Sequence, residues 1–332
     1  MRRRQMIESI ITLAGFVLAW PLLSALNSDY GKSIAVLVTV YYLLAASLNM
    51  IMGFSDLISF GQAAFFAIGG YSAALTAVDL GAGLIAGAVI GIAVSCVFAF
   101  IVSTVSRALS GVYFALATMA AAQLVYLVIL NAVGFTRGPL GLNLPAADKV
   151  LVPGVPLTGD SMFHITLAAG LVATVAISFF VRSGTGVRSI GVRENADLSA
   201  SIGIVPARQR TISFLVAGVL ASIGGSLYAF NYGVLTPSVG SLTYSALALL
   251  MVTFGGRGTI LGPLIGAAVF VIVPDAIGLE GALGQVVFAI ILLLVVLLLP
   301  RGVVGSIGMR GAAVGGIIGW IRSRSAKRKV AP

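Results

Sequence analysis

Charge is what this chain has least of. Only 9% of its 332 residues are charged and ten are acidic, with one cysteine and one histidine. Soluble domains carry about 25% charged residues, so this composition cannot build a water-facing surface. Cys96 stands alone within an apolar run, can form neither an intramolecular disulfide nor a cysteine-based metal site, and reads as packing. His164 has no recognisable serine, cysteine or metal-ligand partner beside it, so the sequence offers no catalytic constellation and no metal site. Gly31-Lys32-Ser33 imitates the end of a phosphate-binding loop, but Leu26 stands where the first glycine belongs. The acidic residues are informative by position. Asp29, Asp79, Asp148, Asp160, Asp275 and Glu280 fall at outer flanks of apolar runs, and Glu8, Asp56, Glu194 and Asp197 at inner ones. None lies mid-run, where an ion-coupled transporter usually keeps its coupling group.

What is there is apolar: 59% of residues, with a mean hydropathy of +1.11. The runs are continuous rather than alternating, which excludes a β-barrel and predicts an all-α polytopic membrane protein. Ten transmembrane helices are expected, near 7–26, 33–52, 60–78, 84–104, 111–132, 161–181, 210–230, 242–254, 259–277 and 285–299. With the N-terminus inside, Lys32, Arg137 and Lys149 lie outside and the other 17 of the 20 basic residues inside, which puts both termini in the cytoplasm. The net charge of +10 is then a topology signal and not a nucleic-acid one. Met-Arg-Arg-Arg before an apolar run, with Ser24 and Ala25 near a possible cleavage point, also resembles a signal peptide; the run's length favours a retained first span. Gly83, Gly87 and Gly91 make a small-residue stripe for close helix approach, as do Gly262 and Gly266. A permease domain is expected over 1–305 and a basic interfacial tail over 306–332, where Arg322–Lys329 can rest on anionic lipid.

The longest inner loop, 182–209, carries a helix signal. Asn195 can cap, Asp197 sits in the first turn, and Leu198 and Ile202 share one face. Gly203 can end the helix in the left-handed region, and Pro206 prevents its resumption before Arg208 and Arg210. Such a helix suits either a groove on a partner protein or the lipid surface.

Several segments, taken in order, resemble one family. They are Asn49-Met-Ile-Met-Gly-Phe-Ser55, Ser59-Phe-Gly-Gln-Ala-Ala-Phe-Phe-Ala-Ile-Gly-Gly-Tyr71, Gly111-Val-Tyr-Phe-Ala-Leu-Ala-Thr118, Thr136-Arg-Gly-Pro-Leu-Gly141, Gly191-Val-Arg-Glu-Asn195, Phe254-Gly-Gly-Arg-Gly-Thr-Ile-Leu-Gly-Pro263 and Leu299-Pro-Arg-Gly302. Together they resemble the permeases of branched-chain amino-acid ABC transporters, on the LivM-type side, from about residue 35 to 305. The resemblance implies a non-enzymatic subunit of the bacterial inner membrane that binds no cofactor itself. It implies a second homologous permease, two cytoplasmic ATPases that bind ATP and Mg, and an extracytoplasmic binding protein that delivers leucine, isoleucine, valine or related small amino acids and amides. A sugar-type ABC permease and an ion-coupled secondary amino-acid transporter are the alternatives.

By position, Glu194, Asn195, Asp197, Leu198, Ala200, Ile202, Gly203 and Ile204 would form the coupling helix that inserts into an ATPase. Relatives commonly show an acidic residue where this chain has Ala200, so Asp197 or Glu194 would have to replace its salt bridge. An amino acid needs polar partners for its two charges and an apolar wall for its side chain. Ser59, Gln62, Phe66 and Tyr71 combine these beside Gly61, Gly69 and Gly70, and Tyr113, Thr118 and Gln123 repeat the chemistry on the fifth span. Ordinary interhelical hydrogen bonding is the alternative for each of them.

Overall fold

The computed structural model describes residues 2–25, 29–106, 109, 111–144, 150–276 and 302–306. Twelve helices account for most of them: α1 (Arg2–Ala25), α2 (Asp29–Ser55), α3 (Gln62–Leu80), α4 (Leu84–Val105), α5 (Gly111–Asn131), α6 (Val133–Thr136), α7 (Gly159–Arg182), α8 (Gly184–Glu194), α9 (Ala196–Ser201), α10 (Pro206–Tyr232), α11 (Leu242–Gly255) and α12 (Gly262–Ala276). A two-residue antiparallel pair, β1 (Leu142–Asn143) with β2 (Val234–Leu235), closes one end of the bundle, Leu142 opposite Leu235. The α8–α9 segment marks the opposite end.

Among the described residues, six helices are long and apolar enough to cross a bilayer: α2, α3, α4, α5, α7 and α10. Helix α11 has 14 residues, roughly 21 Å at 1.5 Å per residue, and falls short of a bilayer core about 30 Å thick; α12 is described over 15 residues, up to the edge of the described segment. Nine of the ten expected spans therefore coincide with helices, three of them with shorter apolar stretches. The tenth, at 285–299, and the tail at 306–332 lie largely outside the described residues.

The core is built on α2, α3 and α10. Along α2, Tyr42, Leu43, Leu44, Leu48, Met50 and Ile51 are fully buried, and Phe65 and Phe66 of α3 meet Phe214 and Phe230 of α10 in the same cluster. Glycine decides how close these helices come. A methyl group at Gly69 would collide with the Ser222 carbonyl, and one at Gly225 with the Phe66 carbonyl. Two members of the expected stripe pack against helices, Gly87 against Ala73 and Gly91 against Gly69 and Ser222, while Gly83, just before α4, lies against the backbone of Leu151 and Val152.

Helices α4 and α5 are peripheral, and their outward residues are aliphatic: Val89, Val97, Phe100, Val112, Leu124 and Val128 are all exposed. In water such a face would be a liability; against hydrocarbon it is the ordinary solvent-facing composition. Helix α1 is joined to the bundle by polar contacts. Ser178 Oγ and Arg182 Nη2 donate to Ser9 Oγ at 3.0 and 2.9 Å. The buried Glu8 carboxylate accepts from the Ile260 amide at 3.1 Å. Helix α7 starts on a capping box between Thr158 and Ser161, and α10 starts on Pro206 and stops at Gly233, which is left-handed at φ 72.

Candidate functional site

Two helices begin inside the bundle instead of at its surface. After α2 ends at Ser55 the chain does not form a helix again until Gln62, and Gln62 then lies beside Ser47 of α2. Ser47 is eight residues back along α2, so the non-helical segment 56–61 climbs about 12 Å back into the bundle before α3 starts. From the other end, the chain leaving β2 passes through a 3-10 turn at Pro237–Gly240 and starts α11 at Leu242. The two starts meet. Ser245 Oγ donates to the Phe60 carbonyl at 2.7 Å and accepts from the Ala63 amide at 3.0 Å. From there α3 runs towards the β end, where Gly81 stops it in the left-handed conformation, while α11 runs towards Gly53 and the α8–α9 end.

Both helices thus point their positive ends at one interior place, which favours a negatively charged group there. Neither N-cap residue, Gly61 or Ser241, caps its own helix with a side chain, and of the first-turn amides of α3 that of Ala63 is taken by Ser245. The side chains around it are small and polar. Thr118 Oγ1 accepts from the Phe60 amide at 3.1 Å, and Ser59 Oγ from the Gly61 amide at 3.1 Å. Ser47 Oγ donates to Gln62 Oε1 at 2.9 Å, whereas the Nε2 group of the fully buried Gln62 has no partner. An unmatched buried amide costs about 1–3 kcal/mol. One turn further along α3, Phe66 stacks on Tyr244 (centroids 5.8 Å) and tilts against Tyr228 (5.5 Å), giving an aromatic wall beside the polar group.

The structure therefore brings Ser59, Gln62, Thr118 and Phe66 together. Tyr71 is buried two turns away, its hydroxyl 3.5 Å from the Leu235 carbonyl. It does not bring in Tyr113, which is 74% exposed, or Gln123, which is also exposed; both sit on the outer face of α5. Ser47, Ser245, Tyr228 and Tyr244 had no signal of their own, because single hydroxyls in apolar helices are common and usually bond back to their own turn. Only the broken helix starts give them a shared role.

At the opposite end, α8 and α9 lie across the bundle. Ser183 ends α7 and caps α8, and Asn195 ends α8 and caps α9, its Oδ1 accepting from the Leu198 amide at 2.8 Å. The expected single short helix is thus preceded by a second one of 11 residues, which Gly186 lets hug the end of α7 against Phe180 and Val181. Gly203 is left-handed at φ 83 and ends α9. Leu198 and Ile202 are 63% and 71% exposed, an apolar pair that no other described residue covers. Glu194, Asp197 and Ala200 are exposed on the same segment, while Ile204 is half-buried, its amide bonded to the Ser199 carbonyl.

This segment is joined to the interior. Arg193 Nη1 donates to the Gly53 carbonyl at 2.6 Å. Close by, Asn49 Oδ1 accepts from the Gly258 amide at 2.9 Å and Asn49 Nδ2 donates to the Thr259 carbonyl at 2.8 Å. One arginine and one asparagine therefore tie α8, the end of α2 and the α11–α12 connection together. Among the described residues no three of His, Cys, Asp and Glu come close enough to hold a metal ion.

Residues 32–299 match the family described as branched-chain amino acid transport system / permease component. A high-affinity branched-chain amino acid transport system permease protein LivM of Salmonella typhimurium is 25% identical over 289 residues, covering 79% of this chain and 66% of the relative. A LivH protein of the same transport system in Escherichia coli is 24% identical, covering 80% of this chain and 92% of the relative. An autoinducer 2 import system permease protein LsrC of Yersinia pestis is 28% identical over 58% of this chain and 56% of its own length. The chain spans about two thirds of the length of the LivM relatives it matches. No solved structure matches it. With its helical bundle of membrane-crossing length and a match over residues 32–299, the chain belongs to the branched-chain amino acid transport permease family.

Proposed function

We propose that this chain is a permease subunit of an inner-membrane ABC importer for branched-chain or related small amino acids, working beside a second permease. Two cytoplasmic ATPases would hydrolyse ATP with Mg, and an extracytoplasmic binding protein would deliver the solute. The observation that carries the reading is the α8–α9 segment: an apolar Leu198/Ile202 pair held out from the bundle end and wired by Arg193 to the start of the interior. An ATPase groove over that pair would move Arg193, and with it the ends of α2 and of the α11–α12 connection. The chain would cross the membrane about ten times, with both termini and the α8–α9 end in the cytoplasm. The convergent helix starts at Gln62 would receive the substrate carboxylate, with Phe66 and Tyr244 against its side chain.

Reconstitution tests this. The chain alone in liposomes should move no leucine under a proton or sodium gradient, and adding the partner permease, ATPases, binding protein and ATP should give uptake. Gradient-driven uptake by the chain alone would establish a secondary transporter instead. The similarity to an autoinducer 2 permease supports a second reading, a sugar-type cargo, which the ligand of the binding protein would distinguish.

A further inference from the structure

A cavity of about 420 Å³ at the β end lies outside the interior site and has a different character. It sits between the starts of α2 and α7 and the end of α10, lined by Lys32, Val36, Asp160, Phe163, Asn231 and Tyr232. Its size is within the ~300–1,000 Å³ of small-molecule sites. In its wall Lys32 Nζ and Asp160 Oδ1 form a direct ion pair at 2.6 Å, with Lys32 largely covered and Asp160 70% exposed, and Asp29 lies in the same wall. Two further ion pairs, Arg137–Asp79 and Arg193–Glu194, are looser at 3.7 Å. A lysine on the outer side also works against the charge bias that orients the chain, so its placement calls for a local reason.

We propose that this pocket is a capture site for a zwitterionic α-amino acid, placed before the interior site on the import route. The inference rests on the amino-acid reading above and narrows it. A zwitterion can insert into an ion pair one charge for one: its carboxylate takes Lys32, its ammonium takes Asp160 or Asp29, and the net charge of the pocket does not change. A monoanion taking Lys32 would leave Asp160 unmatched, and a monocation would sit on a carboxylate without engaging the largely covered Lys32. A neutral amide or a sugar has no charge to exchange for the pair. Val36 and Phe163, both nearly fully buried, give the floor an apolar surface for an aliphatic side chain. The pocket also leads inward. Tyr232 in its wall packs on Tyr228 at 4.6 Å, Tyr228 shares a hydroxyl contact of 3.5 Å with Tyr244, and both rings cover Phe66, one turn from Gln62. Tyr228 and Tyr244 are half-buried rungs rather than core, and Tyr232 is 46% exposed. Rings with polar tips suit a solute that has both kinds of surface.

Chemical protection of Lys32 tests the pocket without requiring transport. The purified full chain in lipid nanodiscs is treated with acetic anhydride and the modification of each lysine is followed by mass spectrometry, Lys149, Lys327 and Lys329 serving as internal references. Leucine at ten times its dissociation constant should slow modification of Lys32 about tenfold, by simple occupancy, and leave the reference lysines unchanged. The carboxylate alone (4-methylpentanoate), the amine alone (3-methylbutylamine) and the neutral amide isobutyramide should give no comparable protection. In Asp160→Asn, leucine protection should be lost while Lys32 still reacts; Asp160 is exposed at the helix start, so the variant retains its capping box. Absence of leucine protection in the wild-type chain, or equal protection by the amide, would overturn the proposal. A complete complex that imports leucine while Lys32 stays unprotected removes the pocket and leaves the permease reading standing. A complex that imports no amino acid removes that reading itself.

Discussion

Gln62 has its carbonyl oxygen matched by Ser47 and its amide matched by nothing, at zero exposure, between two helix starts. Gln62→Leu separates the functional role from the structural one. Ser47 keeps its bond to the Leu44 carbonyl at 2.6 Å, so the fold loses one interhelical hydrogen bond, on average about 0.6 kcal/mol in a membrane. The variant should insert and melt nearly as wild type. Leucine uptake by the assembled complex should fall about tenfold or more, because a bond to a charged carboxylate is worth about 1.5–3 kcal/mol. Unchanged uptake would reduce Gln62 to packing. The residue types at this place were legible in the sequence, since Ser59, Gln62 and Phe66 sit together in one short segment. Their separation from Tyr113 and Gln123 was not. The face of α5 that turns inward is decided by which neighbour packs on it, and an apolar helix with polar residues on several sides leaves that open.

Between elements, the contact of α9 with a partner and the contact of α8 with the interior are separable. Leu198 and Ile202 together would contribute about 3–6 kcal/mol if fully covered, and Leu198→Asp with Ile202→Asp replaces that with two carboxylates at a desolvated contact. The double variant should reach the membrane at normal abundance, since both residues are exposed in the chain itself, and should fail to co-purify with ATPases. Arg193→Gln should behave differently. It leaves the exposed pair intact and removes the charge-assisted bond to the Gly53 carbonyl. ATPases should co-purify and hydrolyse ATP, while uptake per ATP falls; measuring both rates on the same proteoliposomes gives the ratio. Retained transport in the double variant would make the segment a lipid-facing connector, and an unchanged ratio in Arg193→Gln would mean force passes elsewhere. The cap at Asn195 and the stop at Gly203 were readable from sequence because both are local events. The tie from Arg193 to Gly53 spans 140 residues of chain, and no local rule reaches that far.

At the scale of the whole molecule, sidedness is the open question that charge answers and geometry does not. Single cysteines placed at Asp148 and at Ser201, in a Cys96→Ala background, should label from opposite sides of the membrane. Labelling of both from outside would remove the ten-span arrangement together with the cytoplasmic placement of α8 and α9. Sequence alone determined the solvent, the helical class and the family-like order of motifs, because a bilayer imposes length and apolarity on each span separately. It also determined where helices start and stop wherever glycine, proline or a capping side chain stands at the boundary. Tertiary structure alone decided that α3 and α11 begin inside the bundle and face each other. The hydropathy spans leave 53–59 as a plain connection, whereas Phe60, just before α3, has its amide and carbonyl satisfied by Thr118 and Ser245 of other helices. The interior site depends on that mutual satisfaction, which no single stretch of the chain contains.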